Sequence, residues 1–376
     1  MNIPEYKTYA GLRSRVGSIG KRDLRYCVVS TTAEECRAYA LELESLGFVK
    51  HTEREAVGNL FYTYCKDEQC LFVFYNRSTQ TVYLTAEPKQ PLPLPQEICE
   101  GEESLTQMQI GGGMSYVVRL CDGSFVCIDG GAYAPEDEQR LYRFLAERSE
   151  GKPRVAMWLF THSHFDHIQL AAHFMAAYAD AVEIEAVAYQ FPDCSKISVE
   201  AENTEKMGQD IQRFEAACQG KTVYTLHTGQ TYAFPGMELE VLRSLDDTYL
   251  LHYFSFNDLS AAFRLKFAGG KTALILGDCI QRECRELMHT WGKHLKSDIL
   301  QVSHHGLVGG DLGLYQAADP EICFWPVSEA VFSGHYDGPY QYCLGEGGCD
   351  GNAYLRDDTV RKRIHYHAGE TATVNV

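Results

Sequence analysis

The chain has 376 residues, about twice the usual size of a domain, so one large domain or two moderate ones are expected. Hydrophobic residues make up 45% of the chain and charged residues 23%, which excludes fibrous and disordered proteins. There are 34 Lys plus Arg against 51 Asp plus Glu, and the resulting net charge of -17 disfavours extended nucleic acid and anionic membranes as partners.

Cysteine usage and the first residues predict the compartment. The 14 cysteines are scattered, without the compact framework of a small disulfide-bonded domain. Residues 1–20 lack the apolar core of a secretory signal, and no apolar run approaches the roughly 20 residues of a membrane helix. We therefore expect a protein of the reducing cytoplasm. There the pairs Cys65/Cys70 and Cys343/Cys349 are expected to be ordinary buried thiols.

The first part of the chain is predicted to be a small β-α-β-β-β unit. Residues 25–30 form a β-type run, and Thr32 with Glu35 forms a capping-box pattern that opens a helix ending at Gly47. Three further β-type runs follow at residues 58–65, 70–75 and 81–85. This unit carries no catalytic grouping, and neither its role nor a protein partner for it follows from the sequence.

A proline-rich stretch follows, with prolines at positions 88, 91, 93 and 95. It can neither continue a helix nor pair in the middle of a sheet, so an extended connection is expected. We place the domain boundary there, giving an N-terminal domain over residues 1–95 and a second domain over residues 101–376. A connection of this kind predicts few shared contacts, so residues 101–376 are expected to fold alone.

Strands and helices alternate beyond residue 101, which predicts a layered α/β domain. The predicted strands are 114–121, 124–129, 154–160, 183–189, 237–243, 260–267, 271–276 and 298–303. The predicted helices are 135–148, 204–217 and 281–291.

Metal-ligating residues are concentrated directly after one of these strands. The apolar run ends at Phe160, and His162, His164, Asp166 and His167 follow within six residues. The core would tolerate such a cluster only where it binds a charge, which a metal supplies. In an extended loop positions 162, 164 and 166 point the same way, whereas a turn into a helix brings positions 166 and 167 toward a second point. The spacing predicts two adjacent cations.

Residues 161–167, THSHFDH, match the signature THxHxDH of the metallo-β-lactamase-fold hydrolases, which the chain therefore resembles. Three further landmarks recur in the expected order: CIDGGA with Asp129, LILGDC with Asp278, and VSHHG with His304 and His305. Within this class the chain is similar to the hydrolase domain of bacterial DNA-uptake competence channels and its soluble relatives. The shared features are the HHG segment, an Asn-x-x-Ser segment at 257–260, and a His followed by Pro, here His335 and Pro339. The similarity makes Asn257 and His335 candidates for binding a metal or the substrate.

The resemblance implies an α/β fold, a four-layer αββα sandwich, preceded by the small N-terminal α+β domain. It also implies two divalent metal ions, zinc first, with manganese and iron as alternatives. The implied ligands are His162 and His164 for metal one, Asp166, His167 and His304 for metal two, and Asp278 as the bridge. His305 is expected near the leaving group or a substrate oxygen.

The sequence departs from the commoner pattern at metal one. Many related hydrolases supply a third His from the region between residues 169 and 278, where His227 and His252 stand outside any motif. Asn257 is the best substitute. Its amide oxygen is a weaker ligand than an imidazole, so metal one is expected to be held less tightly.

The predicted reaction is hydrolysis by a metal-activated water that Asp166 or Asp278 orients, with His305 assisting. A phosphodiester in a small or short oligomeric substrate is the leading choice, because two metals suit an anionic centre. Esters, lactones and thioesters stay open as alternatives, and so does a non-catalytic metal-containing binding protein. Di-iron redox chemistry is disfavoured, because no extra carboxylate ligands or flavin-binding domain stand in the sequence.

Overall fold

The computed structural model describes residues 1–6, 13–16, 23–94, 102–193, 204–245, 255–306, 310–337 and 363–376, with only the backbone at 13–16, 204 and 334–337. Three sheets and seven helices lie in these ranges. The described helices have at most 14 residues, and none of them has the length and apolarity to span a bilayer.

Residues up to 88 form an antiparallel six-stranded sheet, which we call the N-terminal sheet, with the order β1-β2-β6-β5-β4-β3. Its strands are β1 (Arg13–Val16), β2 (Leu24–Val28), β3 (Val49–Ala56), β4 (Asn59–Lys66), β5 (Gln69–Asn76) and β6 (Thr81–Pro88). Helix α1 (Ala33–Ser45) begins with the predicted capping box of Thr32 and Glu35, which is confirmed. The strand β3 was not predicted, because its sequence VKHTEREA is polar and largely exposed at the sheet edge.

The N-terminal sheet has two apolar faces, and α1 covers only one of them. On the opposite face Phe61 stacks on Phe74, with ring centroids 4.9 Å apart, and on Trp291 at 5.6 Å. Asn59 Nδ2 also donates to the backbone oxygen of Thr290 at 2.9 Å. The expectation of few contacts between the two parts of the chain is therefore wrong, because the uncovered face needs a partner. The domain limits 1–95 and 101–376 stay a prediction.

The remaining residues form two further sheets. The first has the order β13-β12-β10-β9-β8-β7-β21, with β11 beside β10. Its strands are β7 (Ser104–Gln107), β8 (Tyr116–Arg119), β9 (Phe125–Ile128), β10 (Arg154–Leu159), β11 (Glu183–Ile184), β12 (Ala186–Tyr189), β13 (Thr222–Thr225) and β21 (Ala372–Asn375). The second runs in sequence order through β14 (Thr231–Phe234), β15 (Met237–Arg243), β16 (Ala262–Phe267), β17 (Thr272–Ile275), β18 (Ile299–Gln301), β19 (Ile322–Trp325) and β20 (Ile364–His367).

These two sheets pack face to face and carry helices on their outer faces. A core that includes Val118, Leu159, Val241 and Phe263 fills the space between them. Outside the first sheet lie α2 (Pro135–Glu147), α3 (Phe165–Ala177) and α4 (Thr204–Ala217); on the side of the second lie α5 (Gln281–Trp291), α6 (Leu312–Ala318) and α7 (Glu329–Asp337). The predicted four-layer αββα sandwich is confirmed, and the N-terminal sheet packs beside α5.

Candidate metal centre

Four chain segments meet where strands of the two packed sheets end. The His162–His167 segment follows β10, and Asp129 follows β9. From the second sheet, Asp278 follows β17, and the His304–His305 pair follows β18. Because neighbouring parallel strands end at the same edge, segments far apart in sequence bring their polar side chains together there. The segments that carry Asp278 and His162 come close together at Gly277 and Thr161. Gly277 has φ 56°, and a Cβ at this position would lie 2.8 Å from Thr161, so only a glycine permits this approach.

The ligand atoms at this edge form two groups. In the first, nitrogen and oxygen atoms of His162, His164 and Asp278 all lie within 4.8 Å of one another. In the second, those of Asp166, His167 and His305 do the same. These six residues are described as two triads, triad one and triad two.

Asp278 connects the two triads. Its Oδ2 lies 3.7 Å from His162 Nε2 in triad one. The same oxygen lies 3.3 Å from His167 Nε2 and 3.3 Å from His305 Nε2 in triad two. Asp278 therefore lies between the imidazoles of the two triads, and its predicted role as a bridging ligand stays a prediction.

Unsatisfied buried atoms at the centre fit bound cations. Among the described residues His167 Nε2, His305 Nε2 and Asp278 Oδ1 are buried and have no hydrogen-bond partner. The two imidazole nitrogens each lie 3.3 Å from Asp278 Oδ2, and imidazole nitrogens and carboxylate oxygens are suitable ligands for zinc. The residues present therefore fit two divalent cations.

Hydrogen bonds behind triad two set the orientation of its imidazoles. His167 Nδ1 donates to Asp129 Oδ2 at 2.7 Å, and His305 Nδ1 donates to the backbone oxygen of Pro326 at 2.9 Å. Each ring thereby keeps its proton on Nδ1 and presents the Nε2 lone pair to the centre. Sequence reasoning used Asp129 only as a landmark, and a backbone acceptor such as Pro326 has no sequence signal.

The two adjacent histidines exchange the positions that the sequence assigned to them. His305, not His304, joins Asp166 and His167, with its Nε2 3.3 Å from Asp166 Oδ2. His304 Nε2 lies 3.1 Å from Asn257 Nδ2 and 3.9 Å from Asp278 Oδ2. Both residues have left-handed φ values, 49° and 57°, and this tight turn determines which ring faces the centre. The structure therefore groups His305 rather than His304 with Asp166 and His167, and which of the two histidines binds a metal stays a prediction.

Asn257 lies at the edge of the centre, in the 3-10 turn Phe256–Leu259. Its Oδ1 is buried and has no hydrogen-bond partner among the described residues. Ser260, at the end of the same segment, accepts a hydrogen bond from Asp278 N at 3.2 Å. Buried Arg243 fixes this segment by donating to the backbone oxygens of Asp258 and Ser260, both at 2.7 Å. Metal ligation by Asn257 stays a prediction.

Other sequence candidates lie elsewhere or outside the described residues. His227 is buried against Phe72 of the N-terminal sheet, with ring centroids 3.4 Å apart. His335 is on α7, whose backbone alone is described at that position, and His252 and Pro339 lie outside the described residues, as do Cys343 and Cys349.

The charges of the centre depend on one another. Burial alone would lower the pKa of His305, because it disfavours the charged imidazole. The nearby carboxylates of Asp278 and Asp166 have the larger effect and raise the pKa of His305 to about 10. In return, His305 and His167 hold the pKa of Asp278 well below its usual range despite burial. Burial, reinforced by the charge of His167, lowers the pKa of His162. The carboxylates thereby favour positive charge at His167 and His305.

Comparison with known proteins gives one match to a family model. Residues 109–193, which include Asp129 and the His162–His167 segment, match the family model of the metallo-β-lactamase superfamily. No curated protein shows significant sequence similarity to the chain.

Several solved structures resemble the chain at low sequence identity. The metallo-β-lactamase fold protein YhfI from Bacillus subtilis is 11% identical, with a TM-score of 0.42 over 73% of this chain and 100% of YhfI. The short form of human tRNase Z is 12% identical, with a TM-score of 0.35 over 59% and 90%. CmlA, a diiron β-hydroxylase from Streptomyces venezuelae, is 12% identical, with a TM-score of 0.40 over 77% and 55%. The narrower resemblance to competence-channel hydrolase domains stays a prediction.

Proposed function

We propose that this protein is a metal-dependent hydrolase whose two divalent cations lie between triad one and triad two. The observation that carries the proposal is the set of buried atoms without partners, His167 Nε2, His305 Nε2 and Asp278 Oδ1. Hydrogen bonds orient both imidazoles of this set from behind, so it is preorganised for cations.

His162, His164 and Asp278 would hold one cation, and Asp166, His167 and His305 the other, with Asp278 shared. A set of imidazoles and carboxylates favours zinc, and manganese and iron are also compatible with it. Two such cations supply Lewis acidity and lower the pKa of bound water toward neutrality.

The protein side chains orient the reacting groups. Asp166 and Asp278 are carboxylates beside the centre that can accept a hydrogen bond from an attacking water. The side chain of His304 is 21% exposed, whereas that of His305 is only 8% exposed. We therefore transfer to His304 the position near a substrate oxygen that the sequence had given to His305.

A phosphodiester is the substrate class that we propose. The phosphorus centre of a phosphodiester is anionic, and the Lewis acidity that two cations would supply suits displacement at such a centre. The net charge of -17 opposes long polyanions, which favours a small or short single-stranded substrate. Hydrolysis of an ester, lactone or thioester at the same centre is the second candidate. A cytoplasmic location stays part of the proposal.

Metal analysis of the purified full-length chain, combined with a substrate panel, tests the proposal. The panel contains bis(p-nitrophenyl) phosphate, p-nitrophenyl phosphate, a thioester and a lactone. We expect close to two metals per chain and the fastest turnover on the phosphodiester. Fastest turnover on the thioester or lactone would favour the second candidate. A chain that binds no zinc, manganese or iron would overturn both.

A pair of Asp variants links the activity to the centre. Asp278→Asn should lose most of the activity. Asp298→Asn is the control. Asp298 Oδ2 accepts a hydrogen bond from Thr272 N at 2.7 Å, and Asp298 lies before β18, at the opposite end of this strand from the His304–His305 pair. Equal activity in the two variants would show that the centre does not carry the reaction.

A further inference from the structure

Two cysteines lie directly opposite each other in the β4–β5 hairpin. The register pairs Cys65 with Cys70, one step beyond the Lys66–Gln69 pair that closes a two-residue turn. In such a hairpin the closing pair is hydrogen bonded, so the next pair is the non-hydrogen-bonded type, with Cα atoms about 4.5 Å apart. A disulfide bond requires Cα atoms about 4.4–6.8 Å apart. The backbone therefore permits a bond between Cys65 and Cys70 without rearrangement.

The sulfur atoms are already in contact. Cys65 Sγ and Cys70 Sγ lie 2.8 Å apart. Cys70 is buried, whereas Cys65 is partly exposed. The expectation of ordinary buried thiols rested on spacing along the chain and did not foresee this register.

The surroundings of Cys70 favour its thiolate. A hydrogen bond from the Cys65 thiol lowers the pKa of Cys70 to about 7, although burial opposes this shift. The backbone N–H of Gln90 and the ring of His227 contribute in the same direction. The same hydrogen bond raises the pKa of Cys65, so the pair shares one proton near neutral pH.

We propose that Cys65 and Cys70 form a reversible disulfide by exchange with a low-molecular-weight disulfide such as oxidised glutathione. Cys65 is the more exposed of the two sulfurs, so the shared proton first moves from Cys65 to Cys70 across their hydrogen bond. The Cys65 thiolate then attacks one sulfur of the small disulfide and releases the first thiolate. That thiolate takes the proton from Cys70. The Cys70 thiolate then attacks Cys65 Sγ, forms the intramolecular bond and releases the second thiolate. The second thiolate takes a proton from solvent, so two protein sulfurs are oxidised and one small disulfide is reduced to two thiols.

The bond would lie where the N-terminal sheet meets the C-terminal sandwich. Phe72, two residues beyond Cys70, stacks on His227 of the segment before β14. Glu87 Oε2 of β6 lies 3.5 Å from His227 Nε2. Oxidation would therefore cross-link the hairpin beside a contact between the two parts of the chain.

Peptide mapping of the full-length protein tests the proposal directly. Lys66 separates the two cysteines, so trypsin releases residues 55–66 and 67–77 with one cysteine each. The native protein is treated with oxidised glutathione, quenched in acid, alkylated and digested. We expect the two peptides to appear as one disulfide-linked species that dithiothreitol separates.

The chain supplies its own matched control. Cys279 and Cys284 have the same spacing of five residues and also fall in separate tryptic peptides. Cys284 Sγ is directed at the backbone oxygen of Cys279, at 3.7 Å, and this pair should not become linked.

Cys65→Ser and Cys70→Ser should each abolish the linked species. In guanidine-denatured protein the link should form at least tenfold more slowly, because the hairpin register is lost. Separate alkylation of both cysteines after oxidation, or equal rates in native and denatured protein, would overturn the proposal.

Discussion

Asp129→Asn tests whether the hydrogen bond behind His167 determines metal affinity. Asp129 Oδ2 accepts from His167 Nδ1 and from Thr161 Oγ1, each at 2.7 Å, and Oδ1 accepts from Thr161 N at 2.8 Å. An Asn amide fits the same space, but its NH₂ group cannot accept the Nδ1–H of His167. The proton of His167 must then move to Nε2, the atom that faces the metal centre. In the opposite orientation the amide leaves the backbone N–H of Thr161 unpaired.

The size of the effect follows from these contacts. Loss of the partner behind a metal-binding His lowers metal affinity about 10- to 100-fold. This corresponds to about 1.4–2.7 kcal/mol of binding free energy. Only triad two contains His167, so only one of two metal dissociation constants should rise. One unpaired buried donor should also lower the free energy of unfolding by about 1–3 kcal/mol.

Zinc titration of the metal-free, full-length protein against a chromogenic chelator measures both dissociation constants. Asp122→Asn is the matched control, since Asp122 Oδ1 also accepts from a backbone N–H and a hydroxyl, those of Ser124 at 3.0 and 2.6 Å. Asp122 lies before β9, at the opposite end of this strand from Asp129 and the metal centre. Unchanged zinc affinity in Asp129→Asn would refute the reasoning. An equal loss of zinc affinity in Asp129→Asn and Asp122→Asn would indicate general destabilisation of the protein instead.

Four further predictions concern the metal centre and the contact between the two parts of the chain. His305→Ala should lower zinc affinity by more than the about 10- to 100-fold expected for Asp129→Asn, whereas His304→Ala should keep both metals. An equal loss of zinc affinity in His305→Ala and His304→Ala would favour the sequence-based assignment of His304 to metal two. The pKa of His305, about 10, means that zinc must displace its proton below that pH, so zinc affinity should rise up to about tenfold per pH unit from pH 7 toward 10, and a flat profile would contradict this. In the metal-free protein the same raised pKa contributes stability that is fully present below about pH 6.5 and lost as the pH rises to about 10, measurable by urea unfolding. Phe61→Ala should lower the free energy of unfolding by about 3–5 kcal/mol, because Phe61 lies between Phe74 and Trp291; an unchanged denaturation midpoint would show that the two parts of the chain are not stabilised by this contact.

The sequence alone determined the features that depend on neighbours along the chain. The predicted helices 204–217 and 281–291 and the predicted strand 237–243 agree with α4, α5 and β15 at both ends. Their hydrophobic periodicity is local and is therefore visible without tertiary structure. The His162–His167 segment was recognisable for the same reason, because its donors are close in sequence.

Only the tertiary structure decided which distant groups meet. The choice of His305 over His304 depends on two consecutive left-handed residues, and the partner of His305 is a backbone oxygen of Pro326. The packing of the N-terminal sheet on Trp291 and the pairing of Cys65 with Cys70 depend on a second apolar sheet face and on strand register. A shift of one residue in register moves a side chain to the other face of a sheet, so these contacts are set by the packing of whole elements, which spacing along the chain does not specify.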